Sequence, residues 1–289
     1  MRKMILITGA TSGIGYATAK ALAIKGATLI LLARNEHRLK EIKQEFQMKY
    51  KAKVFIYALN VCNIKEIQSV TCDILNELGV PDVLINNAGL ARGLEPYNET
   101  HINDIMEMID TNIKGLFMVT HAFLSHMVKR NTGHIINLGS TAGLYAYKGA
   151  AVYCATKAAV KTFSDGIRID VIDSDIKVTT IQPGIVQTPF SEVRFHGDIK
   201  RAQAVYEGIE ALQAEDIAET IVFILERPRR VQITDMVIMA NQQATGFMIS
   251  KTPKSLDKNI KLTNNMLLSK IAFVNADIAQ LVERRIRNA

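Results

Sequence analysis

The chain has 289 residues, 48% of them hydrophobic, which is enough for one large or two small domains around a buried core. No apolar run reaches the ~18 residues of a membrane-spanning helix, and the apolar stretch near the N-terminus is too short for a signal peptide. The three cysteines lack the spacing of metal ligands, which predicts no metal and a protein of the reducing cytoplasm.

The formal net charge of +7 is unevenly distributed along the chain. Residues 251–289 contain eight Lys/Arg and three Asp/Glu, so this segment carries +5 and the remaining chain only +2. A nearly balanced body argues against nucleic acid as a partner.

A strand, a glycine-rich turn and a helix open the chain. The apolar run Met4–Thr8 predicts the strand, and a helical pattern after the turn ends at Gly26, as helices often do. Glycines let the backbone approach phosphates, and a helix N-terminus offers free N–H groups. The spacing G-x-x-x-G-x-G in this context predicts a nucleotide pyrophosphate site at Gly9, Thr11, Ser12, Gly13, Ile14 and Gly15.

The second strand, Ala27–Ala33, ends at Arg34, where dinucleotide-binding folds often place an acid for the adenosine ribose. A guanidinium suits a 2′-phosphate, so this strand end favours NADP over NAD. Arg38, one helical turn further on, could add a second cation. The alternative is that Arg34 is merely solvated.

Two more strands end in small or polar residues. Lys53–Leu59 leads into Asn60 and Val61, and Asp82–Ile85 leads into Asn86-Asn87-Ala88-Gly89. Amphipathic helices are predicted after the second and third strands, over 36–50 and 64–78. Small residues at a strand end allow close approach by a ligand, although this tetrapeptide alone could be a simple turn.

A long helical region, His101–Arg130, places Asn112 in apolar surroundings, where a lone Asn is usually a satisfied core amide. The strand Gly133–Gly139 ends at Ser140. The helix Ala151–Asp170 follows and places Tyr153 and Lys157 on one face, one turn apart.

A cation ~4–6 Å away favours a phenolate, so Lys157 is expected to lower the pKa of Tyr153 by ~1–3 units. That makes Tyr153 a candidate acid/base, with the hydroxyl of Ser140 holding a carbonyl or alcohol oxygen. The pattern Tyr-x-x-x-Lys alone is also typical of an ordinary helix surface.

The sixth strand, Lys177–Ile181, leads into a turn containing Pro183 and Gly184, after which Thr188 could reach a carboxamide. The polar segment 190–211 is a candidate lid. A helix over 214–226 and a strand over 231–239 complete the pattern.

Strands alternating with helices predict an α/β fold: a single, doubly wound Rossmann domain with a mostly parallel seven-stranded sheet. A ligand is expected at the carboxyl ends of the strands. The glycine turn, Asn87, Ser140 and Pro183 all stand at such ends. Their convergence on one edge favours an active site over a surface Tyr/Lys pair.

These residues resemble the short-chain dehydrogenase/reductase family over about residues 3–250. The shared motifs are TGATSGIG (8–15), NNAG (86–89), Asn112, Ser140, YCATK (153–157) and PGIVQT (Pro183 with 184–188). The resemblance implies that Tyr153 is the general acid/base, that Ser140 polarises the substrate oxygen, and that Asn112 orders a water in a proton relay. Lys157 would lower the pKa of Tyr153 and hold the nicotinamide ribose. It also implies cofactor contacts at Asn60, Val61, Asn87, Ala88, Gly89, Tyr153, Lys157, Pro183, Gly184, Val186 and Thr188.

A narrower resemblance links TNIKGL (111–116), GHIINLGSTAG (133–143) and FSEVRFHGD (190–198) to the NADP-dependent 3-hydroxy acid dehydrogenases. That group oxidises serine, allo-threonine and related acids, or reduces the corresponding semialdehydes, and is usually tetrameric. The resemblance implies a cytoplasmic homo-oligomer with a small-molecule substrate. Arg194 is the candidate partner of the substrate carboxylate, with a purely structural role as the alternative.

Two positions depart from the family pattern. Asn60 replaces the usual Asp for the adenine amine, so an amide oxygen would accept that hydrogen bond without charge. Gly139 replaces a frequent second Ser, which should leave the catalytic hydroxyl in place.

The resemblance divides the chain into a cofactor-binding domain, 1–250, and a basic, partly helical extension, 251–289. In the extension an apolar seam recurs from Leu267 to Leu281 and is followed by arginines. Such a helix could pack on a neighbouring subunit, lie on an anionic membrane, or have no function.

The leading hypothesis is hydride transfer between NADP(H) and a small 3-hydroxy acid such as serine, allo-threonine or 3-hydroxypropionate. One alternative is reduction of a bulkier carbonyl in a steroid, a retinoid or a 3-oxoacyl thioester. Another is a non-catalytic NADP-sensing protein, which the intact set Asn112, Ser140, Tyr153 and Lys157 disfavours.

Overall fold

The computed structural model describes residues 3–251. A π-helical segment spans Asp110–Gly115, and 3-10 turns lie at Tyr97–Glu99 and Thr141–Gly143. In chain order the strands and α-helices are β1 (Met4–Thr8), α1 (Gly13–Ile24), β2 (Thr28–Ala33), α2 (Glu36–Tyr50), β3 (Val54–Ala58), α3 (Ile64–Glu77), β4 (Val83–Asn86), α4 (Ile102–Ile109), α5 (Leu116–Arg130), β5 (Gly133–Leu138), α6 (Ala151–Asp170), β6 (Ile176–Pro183), β7 (Val186–Gln187), α7 (Phe190–Arg194), α8 (Ile199–Ala204), β8 (Leu212–Gln213), α9 (Ala214–Leu225) and β9 (Asp235–Ile238).

Seven strands form one sheet in the order β3-β2-β1-β4-β5-β6-β9, and every neighbouring pair is parallel. Parallel neighbours need crossover connections, which the intervening helices supply. β7 and β8 form a separate parallel pair beside the sheet's carboxyl edge. The predicted doubly wound α/β fold is confirmed.

Both faces of the sheet are buried, which explains why its strands are apolar without alternation. In β1, Ile5 and Ile7 belong to one core cluster, while Leu6 between them belongs to the other. Residues of α1, α2 and α9 cover the first face, and residues of α3, α5 and α6 cover the second. The sheet is therefore a fixed platform whose carboxyl edge carries the polar strand ends.

Helix α1 lies against α9 through small side chains. Ala17 forms a buried cluster with Ala214 and Ala218. Small residues allow the two helices to approach closely. The helix that follows the glycine turn is thus held by the last helix of the domain.

Two predicted elements differ from those observed. The single helix predicted over 101–130 is interrupted by the π-helical segment, which carries Asn112. The last strand is shorter than predicted because residues 228–233 lie beside β6 mainly through side-chain bonds. The backbone ladder begins where the N–H of Thr180 donates to the carbonyl of Thr234. Lys177 Nζ donates to the carbonyls of Pro228 and Val231, and Thr179 donates to that of Ile233.

Residues up to Ile249 form one compact unit. No helix within residues 3–251 combines the length and apolarity needed to cross a bilayer. The apolar seam predicted between Leu267 and Leu281 lies outside the described residues, and the division at residue 250 stays a prediction.

Candidate active site

A cavity of about 420 Å³ opens at the carboxyl edge of the sheet. Its wall contains most of the residues singled out in the sequence; Gly15, Arg38 and Asn112 are the predicted site residues that do not line it. The predicted residues in the wall are Gly9, Thr11, Ser12, Gly13, Ile14, Arg34, Asn60, Val61, Asn87, Ala88, Gly89, Ser140, Tyr153, Lys157, Pro183, Gly184, Val186, Thr188 and Arg194.

The turn between β1 and α1 is shaped by glycines at points of close approach. Gly9 has a φ of +64°, a left-handed conformation that favours glycine. A Cβ on Gly15 would lie 2.2 Å from the Gly9 carbonyl oxygen and 2.5 Å from Asn87 Nδ2. That amide in turn donates to the carbonyls of Thr8 and Gly9, so Asn87 holds the turn in shape.

The N-terminus of α1 is open to an anion. No acidic residue lies in its first turn, and the N-cap side chain of Ser12 makes no capping hydrogen bond. Free N–H groups and the helix dipole therefore face the cavity, as a pyrophosphate requires. The donor set fits a dinucleotide cofactor.

The adenosine end of the cavity contains Arg34 but not Arg38. Arg38 donates to Glu41 at 2.8 Å and lies 5.7 Å from the ring centroid of Tyr16, and its role as a second phosphate cation stays a prediction. The amide oxygen of Asn60 already accepts a bond from the backbone N–H of Cys62. Arg34 is thus the cation that could meet a 2′-phosphate at this end.

Tyr153, Lys157 and Ser140 meet at the centre of the cavity wall. Tyr153 and Lys157 are both buried residues of α6. Lys157 Nζ lies 6.0 Å from the centroid of the tyrosine ring and donates to the Leu138 carbonyl at 2.8 Å. Ser140 caps the short turn after β5 by accepting from the N–H of Ala142. The hydroxyl and the phenol face the same space.

The expected lowering of the Tyr153 pKa by Lys157 is wrong for the protein alone. Burial raises the pKa of Tyr153 to about 12, and Tyr147 adds to this, while Arg194 and a hydrogen bond from Ser140 act in the opposite direction. Burial also lowers the pKa of the Lys157 ammonium to about 8. Because Tyr153 and Lys157 are both buried, desolvation is the largest effect on the pKa of each.

Asn112 is fully buried behind the cavity and holds the loop after β4. Its Oδ1 accepts from the N–H of Leu90 at 2.9 Å, and its Nδ2 donates to the Leu90 carbonyl at 2.8 Å and to Thr156 at 3.1 Å. A Cβ on Gly89 would lie 3.2 Å from Asn112 Oδ1 and 3.4 Å from Lys157 Nζ. Glycine at this position therefore leaves a gap between the amide and the ammonium.

Arg194, at the end of α7, lies over the catalytic candidate. Its Cζ is 5.1 Å from the ring centroid of Tyr153 and 5.6 Å from that of Phe190. Its Nη2 donates to the hydroxyl of Tyr147 at 3.0 Å. Its buried Nε has no hydrogen-bond partner within the part of the chain that the structure describes.

Sequence reasoning missed three residues of this site. Tyr147 and Gln243 line the cavity, and Arg92 contacts the backbone of α7. The polar loop before α6 was a usable signal for Tyr147. No neighbouring sequence motif indicated Arg92 or Gln243, because each contacts a part of the chain that is distant in sequence.

Comparisons with known proteins agree with this geometry. A family model described as short chain dehydrogenase matches residues 3–198. The NADP-dependent 3-hydroxy acid dehydrogenase of Schizosaccharomyces pombe is 43% identical over 242 residues, covering 83% of this chain and 93% of that protein. The NADP-dependent 3-hydroxy acid dehydrogenase YdfG of Escherichia coli strain K12 is 40% identical over 242 residues, covering 83% of this chain and 96% of that protein.

Among solved structures, the closed form of serine dehydrogenase complexed with NADP⁺ has a TM-score of 0.81 and 39% identity, covering 86% of this chain and all of that one. Serine dehydrogenase from Escherichia coli has a TM-score of 0.72 and 36% identity, covering 83% of this chain and 99% of that one. With a matching fold, an assembled Ser/Tyr/Lys cluster and relatives above 40% identity, the chain belongs to the short-chain dehydrogenase family.

Proposed function

We propose that the protein transfers a hydride between NADP(H) and the CH–OH/C=O group of a small 3-hydroxy acid. The broader activity is that of an NADP-dependent oxidoreductase acting on CH–OH groups, as in relatives named NADP-dependent 3-hydroxy acid dehydrogenases. Serine, allo-threonine and 3-hydroxypropionate are the substrates proposed. Arg34 in the cavity wall, where NAD-specific folds often have an acid, supports the preference for NADP.

The observation that supports an acid as the substrate is the position of the Arg194 guanidinium. It lies beside the ring of Tyr153, and its buried Nε lacks an acceptor among residues 3–251. A buried donor without a partner costs free energy, and a planar carboxylate can accept from it. In a 3-hydroxy acid one carbon separates the carbinol carbon from the carboxylate. The carboxylate can therefore meet Arg194 while the carbinol lies at Tyr153, because Arg194 Cζ is 5.1 Å from the tyrosine ring centroid.

The reaction steps follow from the side chains around the substrate oxygen. During oxidation Tyr153, as phenolate, takes the hydroxyl proton while the carbon loses a hydride; during reduction it returns that proton to the carbonyl oxygen. The nicotinamide ring of bound NADP supplies the group that accepts or gives the hydride. The single hydroxyl hydrogen of Ser140 would be donated to the substrate oxygen when substrate is bound. Without substrate, a hydrogen bond from Ser140 lowers the pKa of Tyr153.

Lys157 and Asn112 would connect Tyr153 to solvent. The buried ammonium of Lys157 can exchange a proton near neutral pH, since its pKa is about 8. Together with Asn112 it borders the gap at Gly89, which suits a relay of protons away from the phenol. Both residues therefore act on the tyrosine, and neither contacts the carbon that reacts.

The test is to follow nicotinamide absorbance with purified protein, NADP⁺ or NAD⁺, and L-serine, L-allo-threonine or 3-hydroxypropionate. We expect reduction of NADP⁺ in preference to NAD⁺. The Tyr153→Phe variant should lose at least ~100-fold in kcat while still binding NADPH. Silence with all three acids beside turnover of a steroid, retinoid or 3-oxoacyl carbonyl would contradict the proposal, and so would full activity of Tyr153→Phe.

A further inference from the structure

The side chain of Arg92 joins the loop after β4 to two different helices. Its Nε and Nη2 donate to the two carboxylate oxygens of Glu107, on α4, at 2.7 and 3.0 Å. Its Nη1 donates to the backbone carbonyl of Val193, on α7. The next residue, Gly93, donates its N–H to the carbonyl of Arg194 at 2.9 Å.

These bonds reach the carbonyls at the end of α7, where a helix lacks its own partners. The Val193 carbonyl also accepts from the N–H of His196, so Arg92 adds a second bond there from outside the helix. α7 has only five residues, too few for its own hydrogen bonds to fix its orientation. Arg92 and Gly93 therefore supply an external anchor at the very residues that precede and include Arg194. The same helix is also held by the contact of Ser191 with the Tyr206 hydroxyl, and the Arg194 guanidinium itself by Tyr147.

The Arg92–Glu107 pair is well placed to be strong. The side chain of Arg92 is 15% exposed, and its planar fork binds both carboxylate oxygens. The hydrogen bond from Arg92 is the main cause that lowers the pKa of the Glu107 carboxyl, so the pair is ionised at neutral pH. α4 leads directly into the π-helical segment that carries Asn112, so Arg92 connects both sides of the site.

Two other polar contacts link the segment after α7 to the loop and helix around residues 95–107. His196 Nε2 lies 3.2 Å from the Asp104 carboxylate, and Arg201 forms an ion pair with Glu95 at 3.2 Å. The side chains of His196 and Arg201 are 58% and 50% exposed, so water screens both contacts. Among the charged links of the described residues, Arg92 is thus the one with the geometry to fix α7.

We infer that Arg92 is a positioning residue for substrate specificity: by bridging Glu107 and the Val193 carbonyl, it holds Arg194 where a substrate carboxylate binds. This inference rests on the proposed function, because it assumes that Arg194 meets a carboxylate. Lysine cannot replace Arg92, since a single ammonium does not form the fork to Glu107 while also reaching Val193.

The test compares 3-hydroxypropionate with its uncharged amide, 3-hydroxypropionamide, at saturating NADP⁺. Arg92→Leu should raise the KM for the acid about 10-fold, while the KM for the amide and the Kd for NADPH stay within about 2-fold. Arg92→Lys should lose a similar part of the acid preference. Arg201→Gln, which removes an exposed pair from the same segment, is the matched control and should change the acid KM by less than about 2-fold.

A double-mutant cycle separates positioning from general damage. In an Arg194→Met background, Arg92→Leu should cause no further loss of acid preference, because the group that it positions is gone. The thermal unfolding midpoint and NADPH binding identify any variant that has failed to fold. If Arg92→Leu fails to fold, Arg92→Lys takes its place in the test.

Two results would overturn the inference but not the proposed function. In the first, the wild type prefers the acid and Arg92→Leu keeps that preference. In the second, Arg92→Leu causes an equal loss of acid preference with and without Arg194. A wild type that treats acid and amide alike would overturn the proposed function and, with it, the role of Arg92.

Discussion

The phenol of Tyr153 is balanced between burial, which opposes its ionisation, and two neighbours that favour it. Burial is the largest effect and raises its pKa to about 12. Arg194 and Ser140 both lower it, while Lys157 donates its hydrogen bond to the Leu138 carbonyl instead. Arg194 thus has two expected effects at once, one on a substrate anion and one on the acid/base.

The second effect can be measured apart from substrate binding by using the uncharged 3-hydroxypropionamide. Oxidation needs the phenolate, so kcat/KM should rise with pH as Tyr153 loses its proton. Arg194→Met removes a cation that favours the phenolate, so the pKa of Tyr153 increases and the rise should move to higher pH.

Arg194→Lys keeps a cation at the site and serves as the control, with a smaller displacement expected. A rise at unchanged or lower pH in Arg194→Met would show that the guanidinium does not act on the phenol.

At the scale of single elements, the glycine turn and α1 depend on a contact that admits no side chain. A Cβ on Gly15 would lie within 2.5 Å of both the Gly9 carbonyl oxygen and Asn87 Nδ2. Those two groups are bonded to each other, so moving either disrupts the turn. The opening of the cavity is therefore shaped by the absence of one methyl group.

Gly15→Ala should weaken NADPH binding by at least ~10-fold and lower the unfolding midpoint, because overpacking forces backbone shifts. Fluorescence titration with NADPH and a thermal scan measure the two effects. Gly166→Ala is the matched control: it lies in α6, and its added methyl group would meet nothing within 4 Å. There the same change should stabilise the protein by about 0.5–1 kcal/mol. Equal behaviour of the two variants would contradict the steric explanation.

The strand ends were predictable from sequence because parallel strands bring their carboxyl ends to one edge wherever they stand in the chain. Gly9, Asn87, Ser140 and Pro183 all line the cavity for this reason. Side chains that reach across the fold were not predictable in this way. Tyr147 meets Arg194 across 47 positions, and Arg92 reaches Val193 across 101.

Spacing alone could not predict two further features, for different physical reasons. The pKa of Tyr153 depends mainly on desolvation, which no spacing in the sequence measures. Arg38 stands one helical turn from Arg34, as expected, but its rotamer faces Glu41 and Tyr16. Spacing predicts which face a residue occupies, and the choice between neighbours on that face depends on the partners available.

At the scale of the whole molecule, a buried histidine couples stability to pH. His134 lies at the start of β5, with Nε2 2.8 Å from the hydroxyl of Thr179. Burial, with help from Lys177 and Lys3, lowers its pKa to about 3, against 6.5 for an exposed histidine. Between these values the unfolded chain binds a proton that the folded protein does not, so stability falls as the pH drops from about 6.5 towards 3.

The free energy of unfolding, measured by denaturant titration from pH 7 to pH 4, should therefore decline less steeply in His134→Gln than in the wild type. His37→Gln, on the exposed surface of α2, should leave the slope of the wild type unchanged. Equal slopes in all three proteins would show that His134 does not resist protonation.

The homotetramer, the cytoplasmic location and the separate extension at 251–289 stay predictions.

The contact between α1 and α9 has a consequence for how the protein is made. A ribosome releases the glycine turn and α1 early, but Ala17 finds its covering partners only at Ala214 and Ala218. The 196 residues from 18 to 213 must be synthesised in between. The glycine turn and α1 are therefore synthesised first but gain their packing partner almost last. A nascent chain cannot pack α1 against α9 until nearly the whole domain has emerged.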